Sequence, residues 1–272
     1  MSLCYERYDK KDAEKVVISG NYTKICKNAF ARHHEIKEVI IPDSVETIED
    51  YAFAECISLY RLKLPENLTS IGKYAFAGCE KLEYISLPKN LSEIKHSTFS
   101  CCLFLKKISL YDNINYIDKR AFDLCLSIEE ITLKGRNTQV IFKCPPKIDN
   151  ISFASLVFNF ISADENEKYN MIGKMYFSVY KIPFIIFYAL NYESNKSLSY
   201  LKRNIHDTVK YLIDNNDSEN LTNILKYIKK DNIDIFISYA IDNKKYEQQI
   251  ILANYKNHNF GFNNSFNINM LE

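Results

Sequence analysis

The chain has 272 residues, 47% of them apolar, enough to bury a substantial core and to build two units of structure. Its formal net charge is +1, balanced within each half, and no basic tract exceeds Lys229-Lys230 or Lys244-Lys245, which removes the electrostatic case for DNA, RNA or an anionic membrane as principal partner. The six glycines form neither a phosphate loop nor a dinucleotide fingerprint.

At the N-terminus, Met1-Ser2-Leu3-Cys4-Tyr5-Glu6-Arg7 goes straight into charged residues and lacks the apolar core of a secretion signal. The expected location is the cytoplasm, or export by a route without a cleaved signal. Val16, Ile18, Tyr22 and Ile25 then form an incomplete unit of a pattern that continues for five full copies. Phe30, Phe53, Phe76, Phe99 and Phe122 stand 23 residues apart, followed six residues on by Ile36, Leu59, Leu82, Leu105 and Ile128. Nine on come Val39, Leu62, Ile85, Ile108 and Ile131, eleven on Ile41, Leu64, Leu87, Leu110 and Leu133, and eighteen on Ile48, Ile71, Ile94, Ile117 and Val140. A repeat at a fixed period of this length is a solenoid.

Within a unit, Leu62-Lys63-Leu64 alternates as a short strand with one buried face does, and Pro42, Pro65 and Pro88 end such strands. The stretch from Ile48 through Ala52, Phe53 and Cys56 reads as a short strand running into a tight helical turn, with Ala and Cys small so that successive turns nest. No unit can bury its own apolar columns, so stacking must place each Phe over the next at a strand spacing of roughly 4.8 Å.

The motif Ile71-Gly72-Lys73-Tyr74-Ala75-Phe76-Ala77-Gly78-Cys79-Glu80-Lys81-Leu82-Glu83-Tyr84-Ile85-Ser86-Leu87-Pro88 closely resembles the BspA-like, or TpLRR, class of leucine-rich repeat, over about residues 14 to 142. The resemblance implies a curved right-handed solenoid and, as a class of function, an adhesion or protein-binding module.

Cys56, Cys79, Cys102 and Cys125 form one column, with His33 in the first unit and Cys101 beside the fourth. No Cys-x-x-Cys pair supports zinc, small buried thiols are ordinary core fillers, and without an export signal all eight cysteines are expected to be reduced. His33 and His34 lack any metal or general-base constellation, and His96 is expected to be solvated. No catalytic residue, cofactor or metal site is expected, and the chain does not read as an enzyme.

Past Lys134 the register decays. Gln139 to Phe142 is expected to form a last, capping strand, and Cys144-Pro145-Pro146 closes the array. The expected domains are a solenoid with end caps over 1–150 and an α-helical domain with helical hairpins over 151–272, which makes the fold class α+β. The run Ile182 to Leu190 is short of the ~20 residues that span a bilayer, so no membrane span is expected. Leu198, Leu201, Ile205, Val209, Leu212 and Ile213 are spaced for one helix face, and Leu221, Ile224, Leu225 and Ile228 for another. Further helices fit Ile233 to Ile241, with Asp231 and Asn232 as caps, and Glu247 to Tyr255. Leu212, Glu219 and Ile224 recur 28 residues later as Ala240, Glu247 and Leu252. Residues of about 205–256 look like degenerate ankyrin repeats, and a plain α-helical domain fits them equally.

Side chains between the apolar strand positions point away from the core and align across rungs. On that face Tyr60, Arg61, Lys63, Tyr84 and Lys107 are the candidate contact patch, because aromatic and arginine side chains anchor protein interfaces. A solvated strand face with cross-strand charge pairs explains the same residues without a ligand. The expected function is a non-catalytic protein-binding repeat scaffold. Alternatives are a surface or delivered adhesion factor, and a regulator or cryptic enzyme with the helical half as the active domain.

Overall fold

The structure, a computed structural model, describes residues 4–5, 13–136, 138–144, 149–175 and 178–261. The N-terminal charged heptapeptide falls largely outside these residues, as do Pro145 and Pro146 and the tail beyond Gly261. The chain divides into two compact units, Met1–Met171 and Ile172–Glu272.

Unit 1 begins with thirteen short strands among the described residues: β1 (Cys4–Tyr5), β2 (Lys15–Val17), β3 (Lys24–Ile25), β4 (Glu38–Ile40), β5 (Thr47–Ile48), β6 (Arg61–Lys63), β7 (Ser70–Ile71), β8 (Tyr84–Ser86), β9 (Glu93–Ile94), β10 (Lys107–Tyr111), β11 (Tyr116–Ile117), β12 (Glu130–Lys134) and β13 (Gln139–Lys143). Even-numbered strands make one wall of a solenoid, in the parallel orders β2-β4-β6 and β8-β10-β12. Odd-numbered strands make the other, as β1-β3-β5-β7 and β9-β11. From the second unit onward the register steps by the sequence period, Val39 facing Leu62 and Ile108 facing Ile131. β13 turns back antiparallel to β12 and closes the last rung of the first wall, as the sequence suggested.

The phenylalanine column is continuous. Ring centroids from Phe30 to Phe53, Phe76, Phe99 and Phe122 are 4.8, 5.2, 5.4 and 5.3 Å apart, with planes within 9° of parallel. The first four rings are fully buried, and Phe122 is half-buried at the end of the column. A sixth ring comes from outside the repeat: Phe158 stacks on Phe122 at 4.5 Å. It belongs to α1 (Asn150–Ser162), which starts where the Asp149 carboxylate accepts the Ser152 amide at 2.8 Å. Exposed solenoid ends need such covers. In α2 (Glu165–Lys174), Asp164 and Glu167 form a reciprocal capping box, and buried Lys168 donates to the carbonyls of Ile161 and Ala163 at the end of α1.

The tight helical turn expected around each phenylalanine, as through Ala52, Phe53 and Cys56, is not a helix. Each rung bends through hydrogen-bonded turns, with left-handed residues two before the phenylalanine (Asn28, Tyr51, Tyr74, Ser97) and two after it (Arg32, Glu55, Gly78, Cys101, Leu124). The amides of Asn28, Tyr51, Tyr74, Arg32, Glu55, Gly78 and Cys101, and those of Phe30, Phe53, Phe76 and Phe99, donate one rung onward, as in Tyr51 to Lys73, Phe53 to Ala75 and Glu55 to Ala77 at 3.0, 2.8 and 2.7 Å. Ladder bonds thus continue through the corner, which offsets the cost of left-handed backbone at non-glycine residues.

The described part of unit 2 is helical: α3 (Ser178–Tyr192), α4 (Asn195–Arg203), α5 (Ile205–Asp214), α6 (Ser218–Ile224), α7 (Lys230–Asp242) and α8 (Tyr246–Phe260). The apolar run Ile182–Leu190 is the buried part of α3, and no described helix is long and apolar enough to cross a membrane. The single helix expected over 198–213 breaks at Asn204, whose side-chain amide turns back to the Tyr200 carbonyl at 2.8 Å. Lys229, not Asp231 or Asn232, occupies the N-cap of α7.

The 28-residue recurrence is a repeated helix–turn–helix. Asn216 and Lys244 are both left-handed, and the following amides, Asp217 and Lys245, bond to Leu212 and Ala240 at 2.9 and 2.8 Å. Asn220 and Gln248 are buried at matching positions.

Candidate interaction face

Residues of one strand at alternate positions share a face, and the 23-residue register stacks them into columns. In the wall of even-numbered strands the central outward column reads Lys15, Glu38, Arg61, Tyr84, Lys107 and Glu130. Glu38 lies 3.4 Å from Lys15 and 3.8 Å from Arg61, and Lys107 lies 3.6 Å from Glu130. The adjoining column runs Glu14, Lys37, Tyr60, Glu83, Lys106 and Glu129, with ion pairs of 2.6 Å from Lys37 to Glu14 and 3.5 Å from Lys106 to Glu83. Each column is a ladder of alternating charge interrupted by one tyrosine. Tyr60 and Tyr84 are 52% and 51% exposed.

A third column starts with Val17 and Ile40, both exposed, and continues with Lys63, Ser86, Ser109 and Thr132. These two aliphatic residues were not singled out in the sequence. Their signal is apolar residues on both sides of a short strand, as in Lys15-Val16-Val17. The hydrogen-bonded ladder is interrupted between β6 and β8. Tyr60, Arg61 and Lys63 stand on one side of that break, and Tyr84 and Lys107, paired directly in the register, on the other. Ion pairs at this exposure contribute little to stability, and Tyr60, Tyr84, Val17 and Ile40 are the large apolar side chains exposed among them.

The thiol column has a structural use. Cys56, Cys79, Cys102 and Cys125 donate to the carbonyls of Phe30, Phe53, Phe76 and Phe99 at 3.1, 3.3, 3.4 and 3.1 Å. Burial pushes Cys56 up to about 12 and Cys79 well above the ordinary thiol range, so neither offers a thiolate nucleophile. Among the described residues no three His, Cys, Asp or Glu side chains gather as a metal site. One expectation fails: Cys26 is disulfide-bonded.

A parallel ladder of amides, unnoticed in the sequence, binds the opposite corner. Asn67, Asn90 and Asn113 donate to the carbonyls of Asp43, Glu66 and Lys89 at 2.9, 3.1 and 2.7 Å. His96 is not simply solvated; its Nδ1 lies 3.2 Å from Asp118 Oδ1 and its ring meets Tyr74 edge-on. Burial pushes the Asp118 carboxyl up, but the Arg120 amide and His96 outweigh this and hold it below the usual range. At the corner of the first rung a cavity of about 670 Å³ is lined by Lys27, Arg32, His33, Tyr51 and Glu55, with Arg32 paired to Glu55 at 3.3 Å.

Residues 23–144 match the model of the BspA type leucine rich repeat region, in six copies. No curated protein matches the chain. Among solved structures it is similar to a T. pallidum leucine rich repeat protein, at 29% identity over 46% of this chain and 61% of that one, with a TM-score of 0.45. A leucine rich cell surface protein of Faecalibacterium prausnitzii A2-165 aligns at 25% identity over 48% of this chain and 35% of that one, also with a TM-score of 0.45. The pneumococcal vaccine antigen PcpA aligns at 25% identity over 47% and 32%, with a TM-score of 0.42. The chain spans less than two thirds of each of these relatives.

Proposed function

We propose that this protein, a BspA-type leucine-rich repeat solenoid over residues 23–144 followed by a helical unit, is a non-catalytic scaffold that binds a protein partner on the face of its even-numbered strands. The observation that carries this is the placement of Tyr60 and Tyr84, half-exposed, at the one interruption of two charge ladders and beside Arg61, Lys63 and Lys107. Two exposed phenol rings with Arg61 beside Tyr60 in the sequence supply large contact area at small entropic cost, and the surrounding ion pairs set the polar rim of an interface. The test is capture of partners from native lysate by the tagged chain, compared with the Arg61→Glu/Tyr84→Ala variant. A partner held by the parent and lost by the variant is expected; equal capture by both overturns the assignment.

The disulfide at Cys26 favours a second reading, that the protein works outside the reducing cytoplasm as a surface or delivered adhesion factor. Fractionation combined with thiol labelling tests it. Recovery only in the cytosol, with Cys26 alkylated, would exclude it.

A further inference from the structure

Neighbouring rungs of the solenoid are tied along each strand wall and through the corner that carries the phenylalanines. On the even-numbered wall the amides of Tyr60 and Arg61 both donate to the Lys37 carbonyl at 3.1 Å, and those of Lys106 and Lys107 to the Glu83 carbonyl at 2.9 and 3.2 Å. On the odd-numbered wall Thr69 and Ser70 donate to Glu46 at 2.8 and 3.3 Å and Gly72 to Ile48 at 2.7 Å. Two rungs on, Asn115 donates to Ser92 at 3.0 Å and Asp118 to Ile94 at 2.9 Å.

At one boundary both walls let go together. Among the described residues no hydrogen bond joins Glu83 or Tyr84 to Tyr60, Ser92 or Glu93 to Thr69, or Lys95 to Ile71, the partners that the 23-residue register assigns to them. Both ladders therefore stop between the third rung (β6, β7) and the fourth (β8, β9). Leu62 on β6 is half-buried, whereas Val16, Val39, Ile85, Ile108 and Ile131 of the same column are buried. The corner still crosses the boundary: Phe76 donates to Thr98 at 2.9 Å, Gly78 donates to Ser100 at 2.8 Å, and the Phe76 and Phe99 rings stack at 5.4 Å. Two side-chain bonds cross it as well, from Asn90 to the Glu66 carbonyl at 3.1 Å and from Lys95 to Ser70 Oγ at 3.0 Å. One rung earlier the fit is much closer. Gly72 stands so near the second rung that a Cβ there would lie 2.3 Å from the Asp50 nitrogen, and the Lys73 amide donates to the Asp50 carboxylate at 2.7 Å. The backbone of the third rung is thus bound along both walls to the second and along neither wall to the fourth.

We propose that the solenoid is two stiff stacks joined at this seam, and that it flexes there by parting the walls while the phenylalanine corner holds. In a series of nearest-neighbour interfaces, opening begins at the one with the fewest bonds. The seam has a use on the strand face. Tyr60 and Arg61 stand on the last rung of one stack and Tyr84 on the first rung of the next, so flexing changes the spacing of the two tyrosines. That use rests on the strand-face reading above; the seam itself does not. Capture of a partner can fail with the seam intact, and the seam can fail with capture intact.

Residue-resolved amide hydrogen exchange of the full chain tests the seam with no partner present. The amides of Glu83, Tyr84, Ser92, Glu93 and Lys95 should exchange at least about tenfold faster than those of Tyr60, Arg61, Thr69, Ser70 and Gly72, one rung back. Equal rates overturn the seam. As urea is raised, the rungs before the seam and those after it should lose protection at different concentrations; loss in one step across all rungs overturns the two stacks. The flexing is read with a lock on the even-numbered wall, Lys63→Cys/Ser86→Cys, at positions that a strand spacing of roughly 4.8 Å brings within reach of a disulfide. Once oxidised, the lock should slow exchange at Ser92, Glu93 and Lys95 on the opposite wall by about tenfold relative to Lys63→Cys alone. The same bond within one stack, in Ile40→Cys/Lys63→Cys, should leave those amides fast. A lock that stays open where the Ile40 control closes, or that closes and leaves the opposite wall fast, overturns the flexing.

Discussion

Truncating Phe76 to Ala tests the spine at its centre. The ring is fully buried and stacked between Phe53 at 5.2 Å and Phe99 at 5.4 Å, so nothing can relax into the space without moving two rungs. Deleting a buried phenylalanine side chain costs about 3–5 kcal/mol, and each lost ring pair adds on the order of 1 kcal/mol, which places Phe76→Ala toward the upper part of that range. Net stabilities of domains are only about 5–15 kcal/mol, so the variant should sit near the edge of folding. Urea unfolding followed by circular dichroism reads the loss as a shift in midpoint at unchanged slope. Phe122→Ala is the internal control: that ring is half-buried and its outer neighbour, Phe158, comes from a helix, so its loss should be smaller. A cost for Phe76→Ala below about 1 kcal/mol, or one no larger than that of Phe122→Ala, would refute a continuous load shared between neighbouring rungs.

Three further outcomes follow from the same geometry. Burial raises the folded-state pKa values of Cys56 and Cys79 above the unfolded value of 9.0, so their contribution is complete below pH 9 and is lost as pH rises from there toward the folded values; stability should fall in alkali, and Cys56→Ala/Cys79→Ala should flatten that fall in pH-dependent melting curves. Leu124, exposed and left-handed, should gain about 1 kcal/mol on replacement by glycine, whereas Gly72→Ala should be strongly destabilising because a Cβ there would lie 2.3 Å from the Asp50 nitrogen, both read by thermal melting. Ser109 buries a hydroxyl with no partner among the described residues, and Ser109→Ala should stabilise by about 1 kcal/mol in the same urea assay; a loss would mean that the hydroxyl is satisfied.

The solenoid was legible because stacking makes every rung solve the same packing problem, so Phe30 through Phe122 recur at one period and any break in it shows. The capping strand was legible from the decay of that period past Lys134. Phe158 was not, since a helix supplies its ring and no column predicts it. The left-handed corners were hidden because Tyr51, Glu55 and Cys101 stand where glycine would have announced them, held there by rung-to-rung hydrogen bonds. The amide ladder of Asn67, Asn90 and Asn113 was visible as a column and lost among the chain's many asparagines. In the helical unit the breaks were misplaced because spacing alone carries across Asn204, where a side-chain hydrogen bond ends α4. At the strand face the residues were legible as outward-facing, while their pairing into ladders around two tyrosines needed distances.

The central claim, that a protein partner seats on the wall of even-numbered strands, is most directly tested by site-specific photocrosslinking in native lysate. A photoreactive phenylalanine analogue replaces Tyr60 or Tyr84 on the strand face, or Tyr51, which stacks on Tyr74 at the corner of the rung. Adducts of one size from positions 60 and 84 and none from 51 are expected. Adducts from 51 with none from 60 or 84 would contradict the account.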